Sequence, residues 1–477
     1  MWRAVLLLSS PPLLHAQPYF PSFLRPTASL DGHWQFHFDP DYGDVLGPIS
    51  PGSIRTPERA SVPSAFDIIQ PGVPGRRGTA FYRRDVTFLP QSHRGRLQFA
   101  ACAFYCRVFV DEMEIGEHRA GGYSPFWLDV PPSARAVRTI LVIADNRFNS
   151  TTAPTHTGGD FYMYGGLTRS VTMHDLGPPS RGAYIDFLGV IPLNQTSVNV
   201  TLLLRDAEGS QQVRLAVDTG KPAGEMKAVA IARIGGLASG SVKLQLPDAK
   251  PWSPASPNLH TITAQLANGD AAVARFGLRT LSVGSHGRGI TLNGAPIQLK
   301  GVNRHTMSAA SGSALSLEEV KRDVRLLREL GVNYVRGAHY PQDQRFLDLC
   351  DEAGILVWEE TLGPDVSTSD IHSAAFMKAQ LQQVDEMVRA SFSHPSVIIH
   401  GFFNEGPSND PRACKGYDAS VAAIRSLVPS SHRLVTWASS AKENDVCLAA
   451  ADVCSSNLGE ACHLGQKSVP IKALFDF

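Results

Sequence analysis

The chain has 477 residues, with 44 basic and 44 acidic side chains, so its formal net charge is zero. Nucleic-acid binders need a basic surplus to neutralise phosphates, so this balance argues against that class. Hydrophobic residues make up 43% of the chain, which is enough to fill sizeable cores. The sequence contains no run of about 18 apolar residues, the length that would indicate a membrane span. At about 150 residues per domain, the length predicts about three domains.

The first residues are typical of a secretory signal peptide. Arg3 supplies a positive charge, a short apolar run follows, and the residues up to Ala16 offer a cleavage site. Two prolines interrupt the run, which leaves a disordered N-terminus as the alternative. Three sequons also favour secretion: Asn149, Asn194 and Asn199. We therefore predict a secreted or lumenal glycoprotein with a signal peptide over 1–16.

The chain has seven cysteines. Cys102 and Cys106 lie four apart, on one face if the segment is a strand. Four others cluster near the end without the spacing of a zinc site: Cys414, Cys447, Cys454 and Cys462. We expect buried or unpaired thiols rather than a dense disulfide framework.

Two regions of short strands come first. Residues 29–175 contain apolar segments separated by Gly and Pro, which predicts a β-sandwich. Strands are expected at 81–88, 106–111 and 139–143. A Pro-Pro pair at 178 marks a linker. A second β-sandwich is expected to about 283, with strands at 197–202, 213–217, 242–246 and 261–266.

After Gly284, strands alternate with helices, which predicts a parallel sheet. Ser316 and Glu319 form a capping box, and Gly331 ends the helix that it starts. Further helices are predicted at 346–353, 374–392 and 417–428. The predicted strands are 297–302, 333–336, 355–358, 397–402, 433–436 and 452–455. A (β/α)8 barrel takes about 250 residues, so these six strands predict a barrel that ends two units early.

The carboxyl ends of these strands carry polar and aromatic residues, where barrel enzymes place their catalytic groups. They are Asn303-Arg304-His305, His339-Tyr340, Glu359-Glu360, Asn404-Glu405 and Trp437. Carboxylates, amides, imidazoles and aromatic rings at one rim are typical of a sugar site. Glu405 follows an almost wholly apolar strand and is the candidate proton donor. The alternative is a glutamate that merely starts the next helix.

Five segments carry a family resemblance: 30–36, 160–169, 300–305, 333–341 and 394–405. They resemble glycoside hydrolase family 2, which includes β-galactosidases, β-glucuronidases and β-mannosidases. The resemblance spans about 29–456. It implies a sugar-binding jelly-roll β-sandwich over 17–178, an immunoglobulin-like β-sandwich over 179–283 and a partial TIM barrel over 284–477.

The resemblance also implies roles for named residues. Glu405 would be the general acid/base, and Asn404 would bond the sugar 2-hydroxyl. Other substrate hydroxyls would be bound by His339, His305 and Asp160. Three neighbours are left open: Arg336 either as a support for the barrel floor or a carboxylate or as a direct substrate contact, Glu360 as a support, and Trp437 as core or sugar platform.

The implied reaction is retaining hydrolysis of a terminal β-glycosidic bond, with no metal or organic cofactor. The expected partner is a carbohydrate, with no nucleic acid or membrane; a homo-oligomer stays open. His400 stands where the family usually has Trp. The sugar could be galactose, glucuronic acid or mannose.

A second departure concerns the nucleophile. Retaining hydrolysis needs two carboxyl groups about 5–5.5 Å apart. No motif between Glu405 and Phe477 matches the family nucleophile, and the setting of Glu460 does not fit. The resemblance stops after Ser456. We therefore expect an impaired enzyme; the alternatives are a non-catalytic carbohydrate-binding protein or a fragment from a defective gene model.

Overall fold

The computed structural model describes residues 22–69, 76–147, 161–218, 227–234, 237–283, 289–364, 366–441, 444–456 and 474–476. The predicted signal peptide lies outside these residues. Among them, no helix is long and apolar enough to cross a membrane. The described residues form two antiparallel β units and then one α/β unit.

The first unit packs two antiparallel sheets face to face. The strands to this point are β1 (Ser22–Phe23), β2 (Thr27–Ser29), β3 (Gly32–Asp39), β4 (Glu58–Val62), β5 (Thr79–Val86), β6 (Arg94–Phe99), β7 (Tyr105–Val110), β8 (Met113–His118), β9 (Phe126–Val130), β10 (Arg138–Asp145) and β11 (Val171–Gly177), and one short helix is α1 (Phe66–Ile69). One sheet has the order β4-β3-β5-β10-β7-β8 and the other β2-β11-β6-β9. Alternation explains the core: Trp34, Phe36 and Phe38 all point inward from β3.

The second unit is also a sandwich. Its strands are β12 (Tyr184–Pro192), β13 (Ser197–Arg205), β14 (Gln211–Asp218), β15 (Lys227–Ile234), β16 (Leu237–Gln245), β17 (Trp252–Ser253), β18 (Ser256–Pro257), β19 (His260–Leu266) and β20 (Ala271–Phe276). The order β1-β20-β19-β14-β15-β16-β13-β12 folds over at β15, which pairs with β14 at one end and with β16 at the other. Strand β1 pairs with β20, so residues 22–23 join this unit rather than the first sandwich.

The third unit begins with an antiparallel meander, β21 (Leu281–Val283), β22 (Ile290–Leu292) and β23 (Ala295–Ile297). The parallel strands are β24 (Gly301–Arg304), β25 (Tyr334–Gly337), β26 (Leu356–Glu360), β27 (Val397–Gly401), β28 (Leu434–Thr436), β29 (Cys454–Ser456) and β30 (Leu474–Asp476). The helices are α2 (Leu317–Glu329), α3 (Gln344–Ala353), α4 (Thr368–His372), α5 (Ala374–Ala390) and α6 (Cys414–Leu427). Strands β24 to β28 form one sheet in chain order, and a parallel bridge joins Ser439 to Ser456 on β29.

Two differences from the predicted barrel stand out. The predicted strand 297–302 is split, because β23 ends at Ile297 in the meander and the first barrel strand begins at Gly301. A seventh parallel strand, β30, pairs with β29 in a region that the sequence did not relate to the barrel. Helix α4, with a capping box of Ser367 and Asp370, was not predicted.

Disulfide bonds contradict the expectation of unpaired thiols. Cys102 is bonded to Cys106, and Cys414 is bonded to Cys447 across a separation of 33 residues. Cys350 is buried and free. Spacing could not reveal the second bond, because folding alone brings the start of α6 beside Cys447.

The first sandwich packs directly on the barrel rim. The Arg169 guanidinium donates to the carbonyls of Tyr123 at 2.5 Å and Pro341 at 3.1 Å. The rings of Tyr123 and Tyr340 stack with centroids 4.0 Å apart. The Gln383 amide on α5 donates to the Ala120 carbonyl at 3.2 Å. These contacts fix the sandwich loops beside the carboxyl ends of the strands.

Candidate active site

The polar residues predicted at the strand ends lie along one rim. Parallel strands in chain order place their carboxyl ends at the same edge, so the segments that follow β24, β25, β26 and β27 meet there. The structure connects Arg336, His339, Glu360 and Asn404 through hydrogen bonds. These four residues therefore form one connected cluster.

Arg336 is the centre of this cluster. Its Nε and Nη2 atoms donate to the two carboxylate oxygens of Glu360, both at 3.1 Å. Nη2 also donates to Oδ1 of Asn404 at 2.7 Å. Arg336 and Glu360 are essentially inaccessible to solvent. Arg336 thus supports a neighbouring carboxylate, one of the two roles left open by the sequence, and it also orients Asn404.

Glu360 holds His339 as well as Arg336. Nδ1 of His339 lies 2.6 Å from Oε1 of Glu360. Burial alone would raise the pKa of Glu360, but the charges and hydrogen bonds of Arg336 and His339 outweigh burial and lower it. A carboxylate held in this way is an acceptor that fixes its neighbours, which matches the supporting role considered for Glu360.

The turn that carries Asn404 and Glu405 has an unusual backbone. Phe403 and Glu405 have positive φ angles of 49° and 53°, which few residues other than glycine adopt. The Glu405 amide donates to the Ala438 carbonyl at 2.9 Å, and the Gly406 amide donates to the Phe403 carbonyl at 3.0 Å. Such conformations persist where the surroundings hold them and are concentrated at functional sites. Here Asn404 is buried, whereas Glu405 is half-buried.

His305 and His339 form a wall with aromatic rings. Their ring centroids lie 5.2 Å apart, and Phe161 stacks on His305 at 4.8 Å. The Tyr340 hydroxyl lies 3.5 Å from Nδ1 of His305 and accepts from the Thr306 amide at 2.8 Å. Burial raises the pKa of Tyr340 to about 12, so it stays neutral.

The first sandwich contributes Phe161 to this wall. Asp160, the predicted substrate ligand, lies outside the described residues, but its neighbour Phe161 is buried against the two histidines. The sequence placed Tyr340 at a strand end without giving it a role, and it did not single out Phe161. Each is adjacent in the chain to a residue that was singled out, which was the available signal.

Two further candidates belong to the interior. Trp437 is buried in the apolar cluster with Phe402 and Tyr417, and its indole N–H donates to Asp445 at 2.9 Å. It is therefore a core residue and not a sugar platform. His400 is also fully buried. Glu460 lies outside the described residues.

Three residues at the opposite end of the barrel could offer ligands to a metal ion. Asp348, Asp351 and His394 bring ligand atoms within 4.8 Å of one another. Nδ1 of His394 lies 2.6 Å from Asp351, and Arg275 on β20 bonds Asp348 at 2.8 Å. The Ser396 amide donates to the other carboxylate oxygen of Asp351. Asp348 and Asp351 therefore form ion pairs that connect the second sandwich to the barrel.

Family models and a solved structure are similar to this chain. Residues 285–466 match the family described as "Glycosyl hydrolases family 2, TIM barrel domain", and residues 185–279 match "Glycosyl hydrolases family 2". A solved β-galacturonidase of family 2 from Eisenbergiella tayi is 30% identical, with 92% of this chain and 75% of that chain covered and a TM-score of 0.78. The chain belongs to glycoside hydrolase family 2. The match beyond Ser456 also extends the resemblance past the point where the sequence motifs stopped.

Curated proteins are also similar to this chain. The β-glucuronidase of Felis catus is 28% identical over 460 residues, covering 85% of this chain and 68% of its own length. The β-glucuronidase of Bacteroides fragilis is 28% identical over 416 residues. The chain spans 57% of that relative and 42% of the putative β-glucuronidase of Formosa agariphila. Family membership rests on matches to both the second sandwich and the barrel.

Proposed function

We propose that the protein binds terminal β-glycosides at this rim and that Glu405 is the general acid/base of a retaining hydrolysis. The observation that carries this is the turn at 403–405, which fixes Glu405 next to an asparagine already oriented by Arg336. A general acid must stand within reach of the leaving oxygen, and a held backbone supplies that position.

Asn404 is assigned to the sugar 2-hydroxyl. Because its Oδ1 accepts from Arg336, its NH₂ group is the part that can donate to a ligand. His339 is fixed through Nδ1 by Glu360, which directs Nε2 toward a ligand in the same way. His305 and Asp160 are assigned to other hydroxyls, and no cofactor enters the reaction.

The sugar we propose first is a β-linked uronic acid, because the relatives named above are β-glucuronidases and a β-galacturonidase. Galactosides and mannosides serve as comparators. We further assign the first two units to the jelly-roll and immunoglobulin-like classes, and we keep the expectation that hydrolysis by these residues is slow, since no family nucleophile motif was found.

Aryl β-glycosides with leaving groups of different basicity test the role of Glu405. The expected result is that Glu405→Gln lowers kcat/KM by about 10²- to 10⁴-fold for a basic phenol, the usual contribution of a positioned acid. The loss should shrink for dinitrophenol, which departs without a proton. Glu318→Gln, an exposed glutamate on α2, is the matched control. Equal losses for all leaving groups would refute a proton donor.

Binding without turnover defines the second candidate, a carbohydrate-binding protein. The oriented amide and histidines at the rim support binding whether or not a nucleophile is present. Isothermal titration with glucuronate, galacturonate and methyl β-galactoside would show saturable binding that Asn404→Ala weakens. Absence of binding to all three would reject both functions.

A further inference from the structure

Two of the three sequons, at Asn194 and Asn199, are close together in the sequence but lie in different surroundings. We propose that Asn194 carries an N-linked oligosaccharide and that Asn199 stays unmodified. Both follow the pattern Asn-X-Thr, so the sequence alone does not separate them.

Asn194 lies in the exposed turn between β12 and β13. Its Oδ1 accepts from the Thr196 amide at 2.8 Å and from the Thr196 hydroxyl at 3.1 Å. Both bonds use the side-chain oxygen, so neither holds the amide nitrogen, which is the atom that is glycosylated. The turn itself is closed by the Leu193 amide, which donates to the Ser197 carbonyl at 2.9 Å. A large substituent on Asn194 would extend into solvent without disturbing either strand.

Asn199 lies inside β13, between β12 and β16. It pairs with Ile191, and Leu203 on the same face pairs with Phe187. Ile191 and Phe187 are buried in the apolar cluster of the barrel helices, where Phe187 meets Phe392 at 5.2 Å. Asn199 therefore faces the barrel.

The Asn199 side chain is half-buried, and its amide nitrogen lies 3.4 Å from the Thr201 hydroxyl. An oligosaccharide on this atom would have to fit beside the contact between the second sandwich and the barrel. The sugar is attached before the chain folds. In a chain that carried one on Asn199, the second sandwich would therefore pack poorly against the barrel. The fold thus selects against occupancy of Asn199.

The reaction uses an oligosaccharide carried on a lipid pyrophosphate in the secretory pathway. The Asn194 amide nitrogen forms a bond to the anomeric carbon, and the bond from that carbon to the pyrophosphate oxygen breaks. The lipid pyrophosphate leaves with the electron pair, and the amide nitrogen loses one proton.

The test expresses the full chain with its own N-terminus in mammalian cells, in an Asn149→Gln background. Peptide N-glycosidase in ¹⁸O-water converts each glycosylated asparagine into labelled aspartate, which peptide mass spectrometry locates. Label is expected at 194 and not at 199. The one-glycan mobility shift should disappear in Asn194→Gln and in Thr196→Val, and it should remain in Thr196→Ser, Asn199→Gln and Thr201→Val. Label at 199, or a chain without any glycan, overturns the assignment.

Discussion

Replacing His400 by phenylalanine should stabilise the barrel, and the gain should grow as the pH falls. His400 lies on β27 with no exposed surface. Within the described residues, neither ring nitrogen has a hydrogen-bond partner. Burial, and then the nearby charges of Arg433, Arg425 and Arg279, lower the pKa of His400 well below its usual 6.5. The folded chain therefore keeps this imidazole neutral, whereas the unfolded chain protonates it.

Two terms give the magnitude. At neutral pH, the variant no longer buries polar nitrogens without partners, which cost about 1–3 kcal/mol, less any strain from the larger ring. Below pH 6.5 the unfolded wild type takes up a proton that the folded state excludes, so wild-type stability falls as pH falls. Between about pH 7.5 and 5.5 this one proton is worth about 1.4 kcal/mol. The variant should lack that loss.

Hydrogen exchange of the native protein measures the effect locally. The amides of β27 report the free energy of opening of this part of the barrel, and a three-unit chain needs such a local probe because its global unfolding is not two-state. His33→Phe, at an exposed position on β3, is the matched control and should leave β27 unchanged. Equal pH slopes for wild type and His400→Phe would refute the reasoning, because they would mean that His400 is protonated in the folded state.

Three further changes test the cluster, a helix start and a disulfide. Glu360→Leu leaves Arg336 and His339 buried without their carboxylate, and we expect a loss of about 3–5 kcal/mol in the same exchange measurement on β25, against no loss for Glu318→Leu. Ser316→Ala removes the cap of α2 and should lower the free energy of opening of the α2 amides by about 1 kcal/mol in the same exchange measurement, whereas Ser316→Asp should retain most of the stability. Replacing Cys414 and Cys447 by serine opens the 33-residue loop, and the α6 amides should lose about 2–4 kcal/mol in the exchange measurement without reductant. Unchanged exchange of α6 would indicate that the bond does not form.

Local sequence signals predicted the barrel elements well. Helix α2 begins at the capping box of Ser316 and Glu319, as predicted. Helix α3 ends at Gly354, which adopts the left-handed conformation at the cap. The split at 297–302 was missed because both halves are apolar and extended. Only tertiary pairing separates them, since Ile297 pairs with Ile290 and Gly301 with Tyr334.

The residues that meet at the rim could be predicted, but their connections could not. The strand ends indicated His339, Glu360 and Asn404, because a parallel barrel brings such ends to one rim. Nothing in the order of residues shows that Arg336 would bond both Glu360 and Asn404, since that choice depends on which side chains of three strands meet inside the barrel. The role of Phe161 depends in the same way on how the first sandwich docks.

The hydrogen-bond chain explains why Asn404 and Glu405 can differ so much in surroundings while adjacent in the chain. Arg336 draws the Asn404 oxygen toward the buried side, where Glu360 balances its charge. The positive φ angles on either side of Asn404 then turn the backbone, so the next side chain is half-buried rather than enclosed. A regular strand would also alternate its side chains, but it would place Glu405 against the covered outer face of the sheet. The left-handed turn is therefore what allows consecutive residues to act as an anchored amide and an accessible carboxyl group.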